Sequence, residues 1–363
     1  MKRTDNNLII DVVFGGQSKE RDVSILSAVS IINGLVALDK YNVYALHILE
    51  NGSWYRSRSI ISKIISVDEL KSIALIEEKV SPPVSPEDKC YYTEIHKKKI
   101  LLPDLFFPVL HGPKGEDGVI QGLFSLMNIP FVGSGVLGGS LGMDKEVMRR
   151  IFESYGIPTL PWFSFTLHEW KTSREVLETK IRNEFSFPLF IKPANLGSSI
   201  GISKVTIIKD LNRAIDYAFS FDSKVVLEQG AEVREIECSV LGNDDVQVSV
   251  PGEIIPNAEF YDFDDKYQSQ KSRLVIPADI SEEDCLKVQT YARRAFRAIN
   301  GKGLSRVDFF IVKDEGQIYI NEINTFPGFT PVSMYPKLWE YSGIDFHDLL
   351  LKLIELALDI PIP

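Results

Sequence analysis

Residues 8–49 read LIIDVVFGGQSKERDVSILSAVSIINGLVALDKYNVYALHIL. Leu8 to Phe14 is a short, β-branched run that ends on Gly15-Gly16, the pattern of a buried parallel strand entering a tight turn. Val23, Ile25, Leu26, Val29, Ile32 and Leu35 then recur at helical spacing, and Asn42 to Leu49 is strand-like again. Strand, helix, strand predicts an open parallel α/β domain at the N-terminus. A third strand, Leu105 to Leu110, ends at His111. Ser81 to Asp88, SPPVSPED, reads as a surface excursion.

Further along, the glycine-dense stretch Phe131 to Gly142 is a first boundary. Met143 to Tyr155 is expected to be a helix, stopped by Gly156-Ile157-Pro158. Strand patterns cover Phe187 to Lys192 and Lys224 to Glu228, with a helix over Leu211 to Phe219 between them. A second boundary falls near Gly230. Beyond it come strands at Glu235 to Leu241, Leu304 to Val312 and Gln317 to Ile323, and helices at Glu282 to Ile299 and Phe346 to Leu358. The expectation is an α/β protein of three domains, 1–133, 134–232 and 233–363.

Composition narrows the partners. The 363 residues carry 40 Lys+Arg against 50 Asp+Glu, a net charge of −10, which argues against nucleic-acid binding along the chain. A locally basic site for an anion remains open. Cys90, Cys238 and Cys285 are scattered, with no zinc spacing, and fit a reducing compartment. The N-terminal apolar run is too short for a signal-peptide core, and Ile100 to Leu110 is interrupted by Pro103, Asp104 and Pro108. The sequence therefore predicts a soluble cytoplasmic protein with no membrane partner.

The strongest chemical signal is Arg306-Val-Asp308-Phe-Phe followed by Asn321-Glu322-Ile-Asn324-Thr-Phe-Pro327-Gly328. VKDEG at 312–316 looks like a hairpin turn. Alternation then points Glu322 and Asn324 the same way, with Asp308 facing them and Arg306 on the same side. Such oxygen ligands suit Mg²⁺ that completes its shell with phosphates, and Arg306 suits a transferring phosphoryl group. The plainer alternative is a hairpin with a solvated polar face.

A second signal is Lys192-Pro193 leading into Gly197-Ser198-Ser199-Ile-Gly201. Backbone N–H groups and hydroxyls of such a loop can wrap an anion, although it equally resembles a plain turn. Lys145 offers another cation, and Glu228 could bond a ribose or an adenine amino group or simply be strand-end polarity. At the N-terminal strand ends, Glu20 and Asp22 either meet a substrate or complement a helix dipole. His111, opening a glycine-rich loop, is a better site candidate than His47. Ala258 to Gln270 reads as a lid or as an ordinary surface loop.

In their order and spacing, FGGQSKERDVS, LHGPKGEDG, GSLGMDK, FIKPANLGSSIG, LEQGAEVRE, EFYDFDDKY, GLSRVDFF and NEINTFPGFTPVSM resemble the D-alanine–D-alanine ligases of the ATP-grasp superfamily over nearly the whole chain. The resemblance implies a three-domain ATP-grasp fold and an ATP-dependent ligation for peptidoglycan precursor synthesis. It implies that Lys145, Lys192 and Lys266 contact ATP phosphates, that Ser198 lies in the loop over them, and that Glu228 and Glu235 bind the nucleoside. Asp308, Glu322 and Asn324 match ligands for Mg²⁺ or Mn²⁺. Glu20, with His111 nearby, would hold the first D-alanine; Ser333 and the Met334 backbone would hold the second carboxylate. Arg306 and the Gly328 N–H would stabilise the transition state. Tyr267 would link Ser198 and Glu20 on closure and favour a dipeptide over D-alanine–D-lactate, while Phe263 stands where a lid tyrosine is common. The resemblance also implies a homodimer. The rival readings are a D-alanine–D-serine or D-alanine–D-lactate ligase, another ATP-dependent carboxylate–amine ligase, and a non-catalytic ATP-binding protein.

Overall fold

The computed structural model describes residues 7–76, 78–94, 98–255, 273–313 and 315–359. The lid stretch singled out from sequence, with Phe263, Lys266 and Tyr267, lies outside the described residues.

The first sheet grows from β1 (Leu8–Gly15) and β2 (Tyr41–Ile48), parallel and joined by α1 (Arg21–Ala37). Ile10, Val12, Val13 and Phe14 are all fully buried, as the apolar run requires. The chain continues through β3 (Trp54–Arg56), α2 (Val67–Ile76), β4 (Glu78–Ser81), β5 (Cys90–Thr93), β6 (Lys99–Leu101) and β7 (Leu105–Val109). The strand order is β6-β5-β4-β3-β2-β1-β7. Only β2, β1 and β7 run parallel; β3 to β6 pair antiparallel. The expected open parallel sheet is therefore mixed. The antiparallel half is built from short strands at the edge of β2, and strands of three or four residues give no period to read. Asp11, buried in β1, anchors this half: Arg56 Nη2 lies 2.7 Å from Oδ1, and the Tyr91 hydroxyl donates to Oδ2 at 2.8 Å.

Helices α3 (Val119–Leu126), α4 (Val136–Met143) and α5 (Lys145–Ser154) follow. The glycine-dense stretch is thus mostly a helix, and the helix expected from Met143 begins at Lys145. Asp144 caps it, its Oδ1 accepting from the Glu146 and Val147 N–H groups at 3.1 Å. The glycines of α4 serve close approach. A Cβ on Gly139 would stand 2.8 Å from the Glu116 carbonyl and 2.9 Å from the Gly118 nitrogen, and one on Gly142 2.8 Å from Thr325.

The second sheet holds β8 (Trp162–Thr166), β9 (Leu189–Pro193), β10 (Ser203–Val205) and β11 (Lys224–Gln229), in antiparallel order β10-β9-β11-β8. Helices α6 (Leu167–Thr172), α7 (Arg174–Glu184) and α8 (Ile208–Phe219) accompany it, and Trp170, Leu177, Ile181, Leu211 and Ile215 share its core. The third sheet holds β12 (Val233–Gly242), β13 (Gln247–Val248), β14 (Gly252–Ile255), β15 (Arg273–Val275), β16 (Gly303–Val312) and β17 (Ile318–Asn324), with α9 (Glu282–Ala298) packed against it. The last helices are α10 (Met334–Tyr341) and α11 (Phe346–Leu358). Tyr335, Trp339, Leu350 and Ile354 share a core with Ile10, Ile32 and Leu105, so the first core is not made of residues 1–133 alone.

Gly139→Ala is expected to lower stability by about 1–3 kcal/mol, since its methyl meets backbone that has no rotamer to change. Thermal unfolding measures this; an unchanged midpoint contradicts the close packing of α4.

Candidate active site

The hairpin of β16 and β17 aligns Asp308 with Glu322 and Arg306 with Asn324. A register shift follows Asp308, while Val307, Phe309 and Ile323 point into the core. The polar residues therefore occupy one face, as alternation predicted. Arg306 grips Asp308 through two bonds, Nε to Oδ1 and Nη2 to Oδ2, each 2.7 Å. Asn324 Nδ2 donates to Asp308 Oδ2 at 3.0 Å. On the other flank of β16, Glu237 of β12 pairs in register with Asp308, and its Oε2 lies 3.0 Å from Arg306 Nε. Lys145, at the start of α5, donates to the Leu196 carbonyl at 2.6 Å and stands 3.6 Å from Glu322 Oε2. Glu237 was not singled out from the sequence. Its only signal there was its place two residues beyond Glu235 on one strand.

Among the described residues no three His, Cys, Asp or Glu side chains form a ready-made metal cage. The hairpin offers something else: two carboxylates and one carboxamide, all hard oxygen donors. Such a set fits a small divalent cation that brings further oxygens with a phosphate ligand. Asn324 would then have to turn its amide oxygen inward, where it now points an N–H at Asp308.

The N-terminal region supplies the opposite wall. Glu20, just before α1, is buried and accepts a hydrogen bond from the Ser198 hydroxyl of the loop after β9. Gly112 makes room for it: its φ is +73°, and a Cβ there would stand 2.3 Å from Glu20 Oε2. His111 Nδ1 lies 3.1 Å from the Phe326 carbonyl and 3.8 Å from Glu116 Oε1. Burial pushes this imidazole down, but Glu116, Glu20 and the Phe326 carbonyl together raise it from its ordinary value. Its Nε2 meets no hydrogen-bond partner among the described residues. His47, by contrast, is driven by burial, with Arg21 adding, to about 4 and stays neutral under Phe14.

The third group is buried. Lys192 Nζ donates to Glu228 Oε1 at 2.6 Å, and Arg149 of α5 donates to Glu228 Oε2. Burial lowers the Lys192 ammonium, with Arg149 adding to it against the pull of Glu228. Burial alone would raise Glu228, but Arg149 and Lys192 hold its carboxyl down to about 2. Arg149 carried no sequence signal, because one of two adjacent arginines within a helix reads as a solvated residue.

A cleft open to solvent is lined by Glu20, His111, Lys145, Ser198, Arg306, Glu322, Asn324, Gly328, Ser333 and Met334. These expected site residues come from all three sheet regions. Ser333 Oγ accepts from the Thr330 N–H at 3.0 Å and lies 2.9 Å from where a Cβ on Gly328 would be. Glu237, Glu116 and Thr330 also line the cleft. Lys192, Glu228, Glu235 and Asp308 do not line it. Lys192 and Glu228 lie behind it in their ion pair, Asp308 under Arg306, and Glu235 two residues along β12 from Glu237.

Two family models cover the chain, "D-ala D-ala ligase N-terminus" over residues 9–134 and "D-ala D-ala ligase C-terminus" over residues 151–355. A D-alanine–D-alanine ligase of Heliobacterium modesticaldum is 46% identical over 351 residues, covering 96% of this chain and 94% of that one. One from Bacillus cytotoxicus is 43% identical over 96% of this chain and 95% of that one. Among solved structures, a D-Ala:D-Ser ligase from Enterococcus faecalis superposes with a TM-score of 0.85 at 33% identity, covering 97% of this chain and all of that one. The D-alanine–D-alanine ligase of Coxiella burnetii gives 0.84, also at 33% identity, over 98% and 95%. The three-sheet architecture and its cleft are those of an ATP-grasp protein. Within that class the chain belongs to the D-alanine–D-alanine ligase family.

The Glu116 carboxylate, through its hydrogen bonding and then its charge, is what raises His111 most against burial. Glu116→Gln is expected to lower the His111 pKa, read by NMR titration of the imidazole protons. An unmoved or raised value contradicts this assignment.

Proposed function

We propose that this protein joins two D-alanine molecules at the expense of ATP, by way of an acyl phosphate, to supply a peptidoglycan precursor. The observation that carries the reading is the convergence of Glu20, Ser198, Lys145, Arg306, Glu322 and Asn324 on one cleft, within a chain 40–46% identical to ligases of that name.

A free carboxylate is a poor electrophile, so the first D-alanine must be activated. Its carboxylate oxygen attacks the γ-phosphorus of ATP, the bond to ADP breaks, and an acyl phosphate forms. The nitrogen of the second D-alanine then attacks the acyl carbon, losing a proton, and phosphate leaves with its C–O electron pair. Glu20 would hold the ammonium of the first D-alanine, with the His111 N–H beside it. Ser333, the Met334 backbone and Arg306 would receive the second substrate and the developing oxyanion, together with the Gly328 N–H. Lys145, Lys192 and Lys266 would face the phosphates, under the loop of Ser198, and Glu228 and Glu235 the nucleoside. Tyr267 would tie Ser198 to Glu20 over the closed site. Asp308, Glu322 and Asn324 would hold Mg²⁺ or Mn²⁺, which when bound neutralises phosphate charge. Acyl phosphates hydrolyse readily, so the walls must also exclude water.

On this reading the three domains, 1–133, 134–232 and 233–363, meet at the cleft in a cytoplasmic homodimer. Among the described residues no helix is long and apolar enough to cross a membrane. The −10 charge argues against nucleic acid as a partner along the chain.

Incubation with ATP and equal D-alanine, D-lactate and D-serine tests the assignment. ADP release should rise with D-alanine and not with L-alanine, and D-alanyl-D-alanine should dominate the products. A predominance of D-alanyl-D-serine would favour the selectivity of the Enterococcus faecalis neighbour instead. Arg306→Met is expected to lower kcat by roughly 10²–10³-fold, the usual loss for one transition-state donor. Steady-state kinetics of the variant measure this, and a kcat within a few-fold of wild type would remove Arg306 from the transition state.

A further inference from the structure

Arg149 is a buried group that this chemistry leaves unused. It sits on α5 one turn beyond Lys145, is 1% exposed and does not line the cleft. Nη2 is engaged by Glu228, while Nε and Nη1 meet no hydrogen-bond partner among the described residues. Idle donors on a buried guanidinium are costly, so a purely stabilising role is a poor account of it. One carboxylate also needs only one cation to balance it. Glu228 has two, Arg149 on one oxygen and Lys192 on the other.

The redundancy has a use if Lys192 has to leave. As it stands, Lys192 is 7% exposed and bound to Glu228 at 2.6 Å, so it is not available to a phosphate. Drawing its ammonium toward an anion removes that cation from a fully buried carboxylate, and a buried carboxylate with no counter-charge is strongly disfavoured. A second cation, fixed on a different element and out of reach of the ligand, lowers that barrier. Arg149 on α5 meets this description, and Glu322 of β17 acts on Lys192 from the cleft side.

We propose that Arg149 is a positioning residue for nucleotide binding: it keeps Glu228 paired and in place while Lys192 exchanges that carboxylate for a nucleotide phosphate. The inference rests on Lys192 as a phosphate ligand in the proposed function. It assigns Arg149 no contact with the substrate.

The test compares wild type, Arg149→Lys and Arg149→Met, and repeats Arg149→Met in a Glu228→Gln background. The readouts are KM for ATP, KM for D-alanine, kcat, and the Kd of ADP by calorimetric titration. Arg149→Met should raise the ATP KM and the ADP Kd about tenfold or more and leave the D-alanine KM within about threefold, with Arg149→Lys restoring most of the loss. In the Glu228→Gln background the same change should shift both nucleotide constants by less than about threefold, because no carboxylate then holds Lys192. Equal shifts in the two backgrounds, or ATP and D-alanine KM values rising together, overturn the proposal. Should Arg149→Met fail to fold, Arg149→Gln takes its place in both backgrounds with the same expected outcomes. A wild type that releases no ADP with D-alanine sinks the proposed reaction instead, and the ADP titrations still decide the role of Arg149.

Discussion

The register of one hairpin sets two carboxylates face to face. Asp308 and Glu322 are direct cross-strand partners, and like charges in that position destabilise a sheet. The arrangement persists because cations are built in beside it. Arg306, two residues before Asp308, turns back onto it with both nitrogens, and Lys145 reaches toward Glu322 from the first turn of α5. Much of the surrounding architecture follows from the need to bring that lysine there. Asp144 fixes where α5 begins, and the glycines of α4 let the preceding helix lie close against the 116–118 backbone and Thr325. A strand pair that is electrostatically awkward in isolation becomes a place where added positive charge is welcome.

Local charge and global charge thus separate. The chain is acidic overall, yet Lys145, Arg149, Lys192 and Arg306 gather within one region, each against a carboxylate. Every one of these cations is buried or half-buried, where Coulomb attraction is less screened than at the surface. The pairs hold the cations in position and keep them from repelling one another in the absence of an anionic ligand. They also mean that a polyanion entering the cleft has to compete with carboxylates already in place. Among these carboxylates, Glu228 is paired with two cations, Arg149 and Lys192.

The sequence made the long elements readable because their burial is periodic or continuous. β1, α11 and the β16–β17 hairpin lie within a residue or so of where the pattern put them. The one-face clustering of Arg306, Asp308, Glu322 and Asn324 followed from alternation alone. Reading failed where local pattern and tertiary role part company. Glycines in 131–142 look like chain breakers, but in α4 they remove side chains from a tight contact. Three-residue strands such as β3 and β6 have no period, and Asp11, a charge inside an apolar strand, gave no hint that Arg56 and Tyr91 would meet it. Arg149 and Glu237 were invisible for a related reason. Their significance lies in partners that are distant in sequence, Glu228 and Arg306, and spacing along one chain segment carries no information about such pairs.

The loop after β9 is tied to the N-terminal wall of the cleft. Ser198 and Ser199 both adopt left-handed backbone, with φ of 49° and 58°, a conformation that costs a non-glycine residue of order 1 kcal/mol or more. A loop so shaped needs outside support, and part of it comes from Glu20, which takes the Ser198 hydroxyl. Lys19, the neighbour of Glu20, lies over the Phe221 ring 5.3 Å from its centre, a second tie between the same two regions. A change at Glu20 therefore reaches the loop as well as the cleft that Glu20 lines. Gly112 gives Glu20 Oε2 its space while Oε1 takes the Ser198 hydroxyl, so the two oxygens of one carboxylate have different neighbours. The position of the Glu20 carboxylate and the shape of the loop after β9 are in this way tied to one another.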